Sequence, residues 1–157
     1  AGPIRNVVHR IKYQRDLGLA ESISLQLASF VLELGWDLDI IVPVPLSKQR
    51  FKERGYNQSA LLAKPIAWNC GILYRPKALH RTRDTSSQVG LDLLDRQVNV
   101  ADAFVASRRH IQGRKILLVD DVATSGATMN ACAEACWKER AQRIYGLTVA
   151  RAVQSTY

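Results

Sequence analysis

The sequence predicts an α/β fold, a doubly wound and mainly parallel sheet flanked by helices, and three observations carry that prediction. Short apolar, branched runs at Asp39–Pro45, Ile116–Val119 and Arg143–Ala150 alternate with longer stretches of helical periodicity, as a parallel sheet with crossover helices requires. The run Ile116–Val119 is apolar at every position, the mark of a strand buried on both faces. It leads directly into Asp120, Asp121 and a small, hydroxyl-rich turn, placing polar groups at a strand's carboxyl end, where open α/β sheets bind ligands.

The elements follow in order. Pro3 to Tyr13 and Leu17 to Leu34 read as helices, the second with a stripe of Ala20, Ile23, Leu27, Phe30, Val31 and Leu34, ending at Gly35. In the strand Asp39–Pro45, Pro43 and Pro45 deny further ladder bonds and hold Val42 and Val44 extended, giving the turn from Leu46 a stiff approach. Asn57 caps a helix running to Cys70, in which Pro65 predicts a kink or an early stop. Ile72 to Leu79 supplies a short strand, and Arg81 to Gln88, without an apolar residue, an exposed loop. Asp92 caps a short helix to about Val98. Ala103 to Ala106 is a further strand, followed by a basic turn from Arg108 to Lys115. After the acidic pair, Met129, Cys132, Ala133, Cys136 and Trp137 fall on one helical face, so both thiols belong to the core.

Composition narrows the functional class. The 157 residues, 47% hydrophobic, suit one domain over positions 1–157. No apolar run reaches the ~18 residues a membrane span needs, and no signal pattern opens the chain, so a cytoplasmic protein without membrane insertion is expected. Three cysteines, Cys70, Cys132 and Cys136, are too few for a disulfide framework or a four-ligand zinc site. His9, His80 and His110 show no ligand-like spacing. The net charge of +8 suits a polyanion, either nucleic acid or a small substrate with several phosphates. It concentrates in two segments, Lys48 to Arg54 and Arg75 to Arg83.

The stretch Leu117 to Thr128 resembles the 5-phosphoribosyl-1-diphosphate (PRPP) motif of type I phosphoribosyltransferases. The resemblance implies that Asp120 and Asp121 lie against the ribose hydroxyls, directly or through metal-bound water. It also implies that Val122, Ala123, Thr124, Ser125, Gly126, Ala127 and Thr128 cradle the 5-phosphate, with the following helix aiming its amino end at the same anion. Pro43-Val-Pro45, Arg54-Gly-Tyr-Asn-Gln58, Arg81-Thr-Arg-Asp-Thr-Ser-Ser-Gln88, Arg96, Asn99 and Ala103-Phe104 occur in the order seen in ComF-like proteins, so the chain resembles that family.

By this resemblance Leu46 to Arg54 is the diphosphate loop, with Lys48, Arg50 and Arg54 as contacts, and Arg81 to Gln88 is the loop that folds over PRPP. Arg81 and Arg83 then steady the departing diphosphate, and Gln88 belongs to the same loop. Mg²⁺ is the implied cofactor, chelated by diphosphate and ribose oxygens, because Asp120 and Asp121 alone cannot build a metal site. Thr124 stands where purine-salvage relatives carry an acidic residue, which argues against hypoxanthine-type chemistry. The four-cysteine zinc module often found before this domain has no counterpart ahead of Cys70.

The leading expectation is a phosphoribosyltransferase using a nitrogen acceptor and serving competence or DNA use, with competence-machinery proteins as partners and a homo-oligomer as an option. A catalytically silent sensor of PRPP or a nucleotide is the alternative. A single-stranded DNA binder is a third reading, with Tyr56 available for stacking and Arg108, Arg109, Arg114 and Lys115 available to a strand's backbone.

Overall fold

Four strands build the central sheet: β1 (Ile40–Pro43), β2 (Leu73–Tyr74), β5 (Lys115–Ala123) and β6 (Arg143–Arg151). The structure is a computed structural model describing residues 9, 10, 13, 16–82 and 102–151. The sheet order is β2-β1-β5-β6 and every pairing in it is parallel. Strands β3 (Leu79–Arg81) and β4 (Phe104–Ala106) form a separate antiparallel pair. The helices are α1 (Leu17–Glu33), α2 (Lys48–Arg54), α3 (Gln58–Cys70), α4 (Arg108–Ile111) and α5 (Ala127–Lys138).

Alternation along the strands divides the core in two. Ile40, Val42, Ile116 and Leu118 face one side and pack with Cys132 and Cys136 of α5 and with Leu79 and Phe104 of the small sheet. Ile41, Leu117 and Val119 face the other and pack against Ala20, Ala28 and Val31 of α1 and Leu62, Ile66 and Ala67 of α3. The chain leaves β1 through α3 toward β2 and leaves β5 through α5 toward β6, in opposite directions across the sheet. The reversal makes the gap between the carboxyl ends of β1 and β5 the topological switch point.

Several expectations are corrected by packing. The buried line of α1 is Ala20, Ser24, Ala28 and Val31, small residues that let the helix lie close to α3, and Phe30 and Leu34 are left 47% and 38% exposed. Ser24 spends its hydroxyl on the Ala20 carbonyl at 2.7 Å, which removes the cost of burying it. Pro65 does not stop α3, which continues to Cys70 and ends on Gly71 at φ 67°. The missing backbone donor costs ~3 kcal/mol in an isolated helix, but Leu62, Ala63, Ile66 and Ala67 bracket it with fully buried side chains that hold the helical path. The segment Ile72 to Leu79 is two strands rather than one. Arg75 N–H still donates to the Ile41 carbonyl at 2.9 Å, and Pro76, which has no donor, then turns the chain away.

The Leu46–Arg54 loop is mostly helix α2, capped by Ser47, whose hydroxyl accepts from Arg50 N–H at 3.2 Å, and closed by Gly55 at φ 75°. The basic turn after β4 contains the single helical turn α4, anchored by the fully buried Ile111. On α5 the buried line is Cys132, Ala135 and Cys136, and Trp137 is 51% exposed because Ala135 takes its place toward the core. The predicted helices at Pro3–Tyr13, apart from the helical His9, Arg10 and Tyr13, and at Asp92–Val98 lie outside the described residues.

Burial pushes the Cys136 thiol up to about 12 from its usual 9.0. It also raises Cys132, with the neighbouring Cys136 and Asp120 adding to the effect and Arg81 opposing it. Ellman's reagent is therefore expected to modify Cys70 first and to reach Cys132 and Cys136 only on unfolding. The unfolded chain ionises its thiols at lower pH than the folded one, so stability is expected to fall from pH 9.0 toward about 12, read by urea unfolding at successive pH values.

Candidate active site

Polar groups gather where β1 ends and β5 continues. Pro43 is the last β1 residue paired with β5, opposite Val119, and Val44 adds one final bond to the Val119 carbonyl at 2.9 Å. Strand β5 runs on to Ala123, paired only with β6 through Val122↔Ala150 and Ala123↔Arg151. Asp120 and Asp121 thus lie inside the strand rather than beyond its end. The prolines at 43 and 45 remove β1 as a partner there, which opens the crevice beside the two carboxylates.

Both carboxylates are oriented by protein donors. Asp120 Oδ1 accepts from the Ser59 hydroxyl at 2.8 Å and from Asp121 N–H at 2.9 Å. Asp121, 4% exposed, accepts at Oδ1 from Val122 N–H at 2.8 Å. Ser59 is held in turn by the Asn57 cap, whose Oδ1 accepts from Ser59 N–H at 3.0 Å while its Nδ2 donates to the Val44 carbonyl at 3.0 Å. The cap therefore ties the start of α3 to the end of β1 and to the acidic pair.

The turn closes around a small cavity of about 30 Å³ lined by Asp120, Val122, Ala123, Thr124, Gly126, Ala127, Thr128 and Met129. That is about the space of two waters or one oxyanion. Gly126 sits at φ 80°, the amino cap of α5, and its carbonyl accepts from Asn130 N–H at 2.9 Å. An added Cβ there would meet no atom within 4 Å, so the left-handed backbone rather than crowding by protein requires glycine. Ser125 Oγ accepts from Ala127 N–H at 3.3 Å, and Thr124 and Ser125 are exposed. The first turn of the twelve-residue α5 thus presents its amino end to the cavity.

A larger groove of about 500 Å³ adjoins the end of β1, lined in part by Pro43, Pro45, Lys48, Lys52, Asn57, Lys77, His80 and Arg81. Lys48 and Arg81, from the two predicted basic loops, therefore meet on one groove. Arg81 also lies over the Phe104 ring at 5.4 Å. Arg50 and Arg54 are not in its wall, because α2 turns them elsewhere: the Arg54 guanidinium lies over the Tyr13 ring at 5.3 Å. Arg83 and Gln88 lie outside the described residues.

Two contributors escape sequence reasoning. Ser59 is an ordinary helix residue by pattern, and only the Asn57 cap hints that it opens α3 beside a strand end. Gly146, opposite Leu118 in β6, leaves room for Met129 of the cavity wall: a Cβ there would sit 3.3 Å from Met129 Cγ and Sδ.

No family model matches the chain. It is 35% identical over 139 residues to DNA utilization protein YhgH of Escherichia coli, covering 85% of the chain and 61% of that protein. It is 31% identical over 157 residues to Competence protein F of Haemophilus influenzae, covering 96% of the chain and 69% of that relative. The chain belongs to the ComF family.

This ComF-family chain spans 61% of the length of the Escherichia coli relative. Among solved structures it is similar to the Bacillus subtilis glutamine PRPP amidotransferase complexed with ADP and GMP, at a TM-score of 0.57 and 19% identity, covering 82% of the chain and 25% of that structure. An adenine phosphoribosyltransferase matches at a TM-score of 0.57 and 17% identity, covering 88% of the chain and 72% of that structure. The fold is the type I phosphoribosyltransferase fold, with helices flanking a mainly parallel sheet. Among the described residues no helix is long and apolar enough to cross a membrane.

Proposed function

We propose that this ComF-family protein binds PRPP and transfers its phosphoribosyl group to a nitrogen acceptor with release of diphosphate, in support of competence and DNA use. The observation that carries the reading is the Asp120–Thr128 constellation at the switch point: two carboxylates oriented by protein donors, Asp120 in the wall of an oxyanion-sized cavity at the amino end of α5 and Asp121 buried next to it in the strand. In this reading the 5-phosphate enters the cavity and the ribose hydroxyls meet Asp120 and Asp121. The C1–oxygen bond breaks with its electron pair going to diphosphate, a nitrogen–C1 bond forms, and the acceptor's proton leaves to solvent. Lys48 and Arg81 face the groove into which the diphosphate would extend.

Among the described residues no three His, Cys, Asp or Glu side chains are placed to hold a metal ion. A hard cation such as Mg²⁺ would be chelated by the substrate's own diphosphate and ribose oxygens, and Asp120 and Asp121 are the carboxylates that would hold the ribose hydroxyls beside it. The names of the curated relatives support a role in DNA use and competence, and a cytoplasmic site of action fits that role.

The test is diphosphate release from Mg²⁺-PRPP across a panel of amines and nucleobases. Release that depends on one acceptor supports the transferase; saturable PRPP binding without release under any acceptor would make the protein a sensor. Ser59→Ala is expected to weaken PRPP binding ~10-fold or more in calorimetry, the value of one hydrogen bond to a charged group, with little change in secondary structure. Unchanged affinity in that variant would remove Ser59 from the site.

A further inference from the structure

At the amino end of the parallel sheet, away from Asp120 and Asp121, a cleft of about 300 Å³ lies between α4 and the edge strand β2. Among the described residues its wall is Ile40, Leu73, Arg75, Arg109, His110 and Arg114, three guanidinium groups and an imidazole with no carboxylate among them. The ion pairs among the described residues use Arg10, Lys115 and Lys138, so none involves Arg75, Arg109 or Arg114. His110 Nδ1 is buried without a hydrogen-bond partner. Gathering like charges without a counter-ion is unfavourable, and a buried polar atom left unpaired adds to that cost.

The cleft is also built on anchored backbone rather than on a solvated run. Arg75 N–H donates to the Ile41 carbonyl at 2.9 Å, and Arg114 N–H to the carbonyl of the fully buried Ile111 at 3.0 Å. The Arg114 carbonyl accepts from Gln142 N–H at 2.9 Å. The basic segment from Arg108 to Lys115 therefore divides. Lys115 pairs with Asp37 and Arg108 Nε donates to Gln112 Oε1 at 3.1 Å, while Arg109 and Arg114 enter the cleft.

We propose that this cleft is a second anion site that takes a phosphate group, separate from the sugar-phosphate site at the other end of the sheet. Guanidinium groups bind phosphate through paired, charge-assisted hydrogen bonds, and an imidazole nitrogen adds a further donor. The volume lies at the lower limit for small-molecule pockets, the scale of a phosphate or diphosphate group with a small appendage. Among the described residues of its wall there is no Phe, Tyr or Trp, so the large stacking platform that single-strand binding sites use is missing, which favours a small phosphorylated ligand over a nucleic-acid strand.

The experiment titrates inorganic phosphate and diphosphate into protein carrying Asp120→Asn and Asp121→Asn, which silences the first site, and follows the His110 ring resonances by NMR. A saturable shift is expected, with affinity at least tenfold lower when Arg109→Gln and Arg114→Gln are added. Arg75→Gln, a single exposed change, should give a smaller loss and serves if the larger variant does not fold. A fluorescent oligothymidylate distinguishes the source of the phosphate. Oligonucleotide affinity unchanged by these substitutions assigns the site to a small ligand; affinity that falls with them, with a salt slope reduced by ~1.4, assigns it to a strand's backbone. No saturable shift, or arginine variants that titrate like their parent, overturns the site.

Discussion

Replacing Asp120 and Asp121 together by Asn is expected to lower Mg²⁺-dependent PRPP affinity by about 100-fold or more while leaving the fold intact. Each carboxylate is oriented by protein donors, and in the proposed reading each also accepts from a ribose hydroxyl. Removing both charges should forfeit at least one charge-assisted hydrogen bond apiece, ~1.5 kcal/mol or more each. The fold should survive because an amide keeps an acceptor oxygen for Ser59 and for the Asp121 and Val122 N–H groups. Calorimetry with and without Mg²⁺, alongside circular dichroism, reads both halves of the expectation. A folded double variant that binds PRPP as the parent does would show that the acidic pair is a structural strand end, and the proposed site would fall with it.

Leu118→Ala should have the largest effect on stability, a loss of ~3–5 kcal/mol against the ~5–15 kcal/mol that holds a typical domain. Leu118 is fully buried, sits in the middle of β5 opposite both Val42 and Gly146, and belongs to the cluster that contains Cys132 and Cys136. Its truncation leaves a cavity between sheet and α5 that neither paired neighbour can fill without moving the strands. The measurement is the urea midpoint at constant slope. A loss below ~1 kcal/mol would mean that the site collapses freely and that β5 is not the rigid base of the acidic pair.

Much of this architecture is legible in the chain because local chemistry and final environment agree. Asn57 and Gly71 bound α3 as caps do anywhere, Pro43 and Pro45 end β1 for lack of donors, and the apolar run Ile116–Val119 has no stable place except a buried strand. Disagreements occur where long-range packing decides. Pro65 reads as a break, yet the side chains around it are fully buried and carry the helix across. Phe30 and Trp137 read as core, yet Ser24, Ala28 and Ala135 occupy the buried lines because helices approach more closely on small residues.

The same division holds at the site. Asp120, Asp121, Gly126 and the hydroxyl turn are recognisable in sequence because they are contiguous, and a phosphate cradle is a local backbone device. The meeting of Ser59 with Asp120, 61 residues apart, and of Lys48 with Arg81 on one groove exists only in the folded chain. The tertiary structure also turns Arg54 toward Tyr13 and gathers Arg75, Arg109 and Arg114 at the far end of the sheet. Periodicity, caps and contiguous motifs are set within a few residues of chain, so sequence alone determined the fold class, the strand that carries the acidic pair and the turn beside it. Which distant side chains share a cavity depends on how crossover helices land on the sheet, and that only the packed core decided.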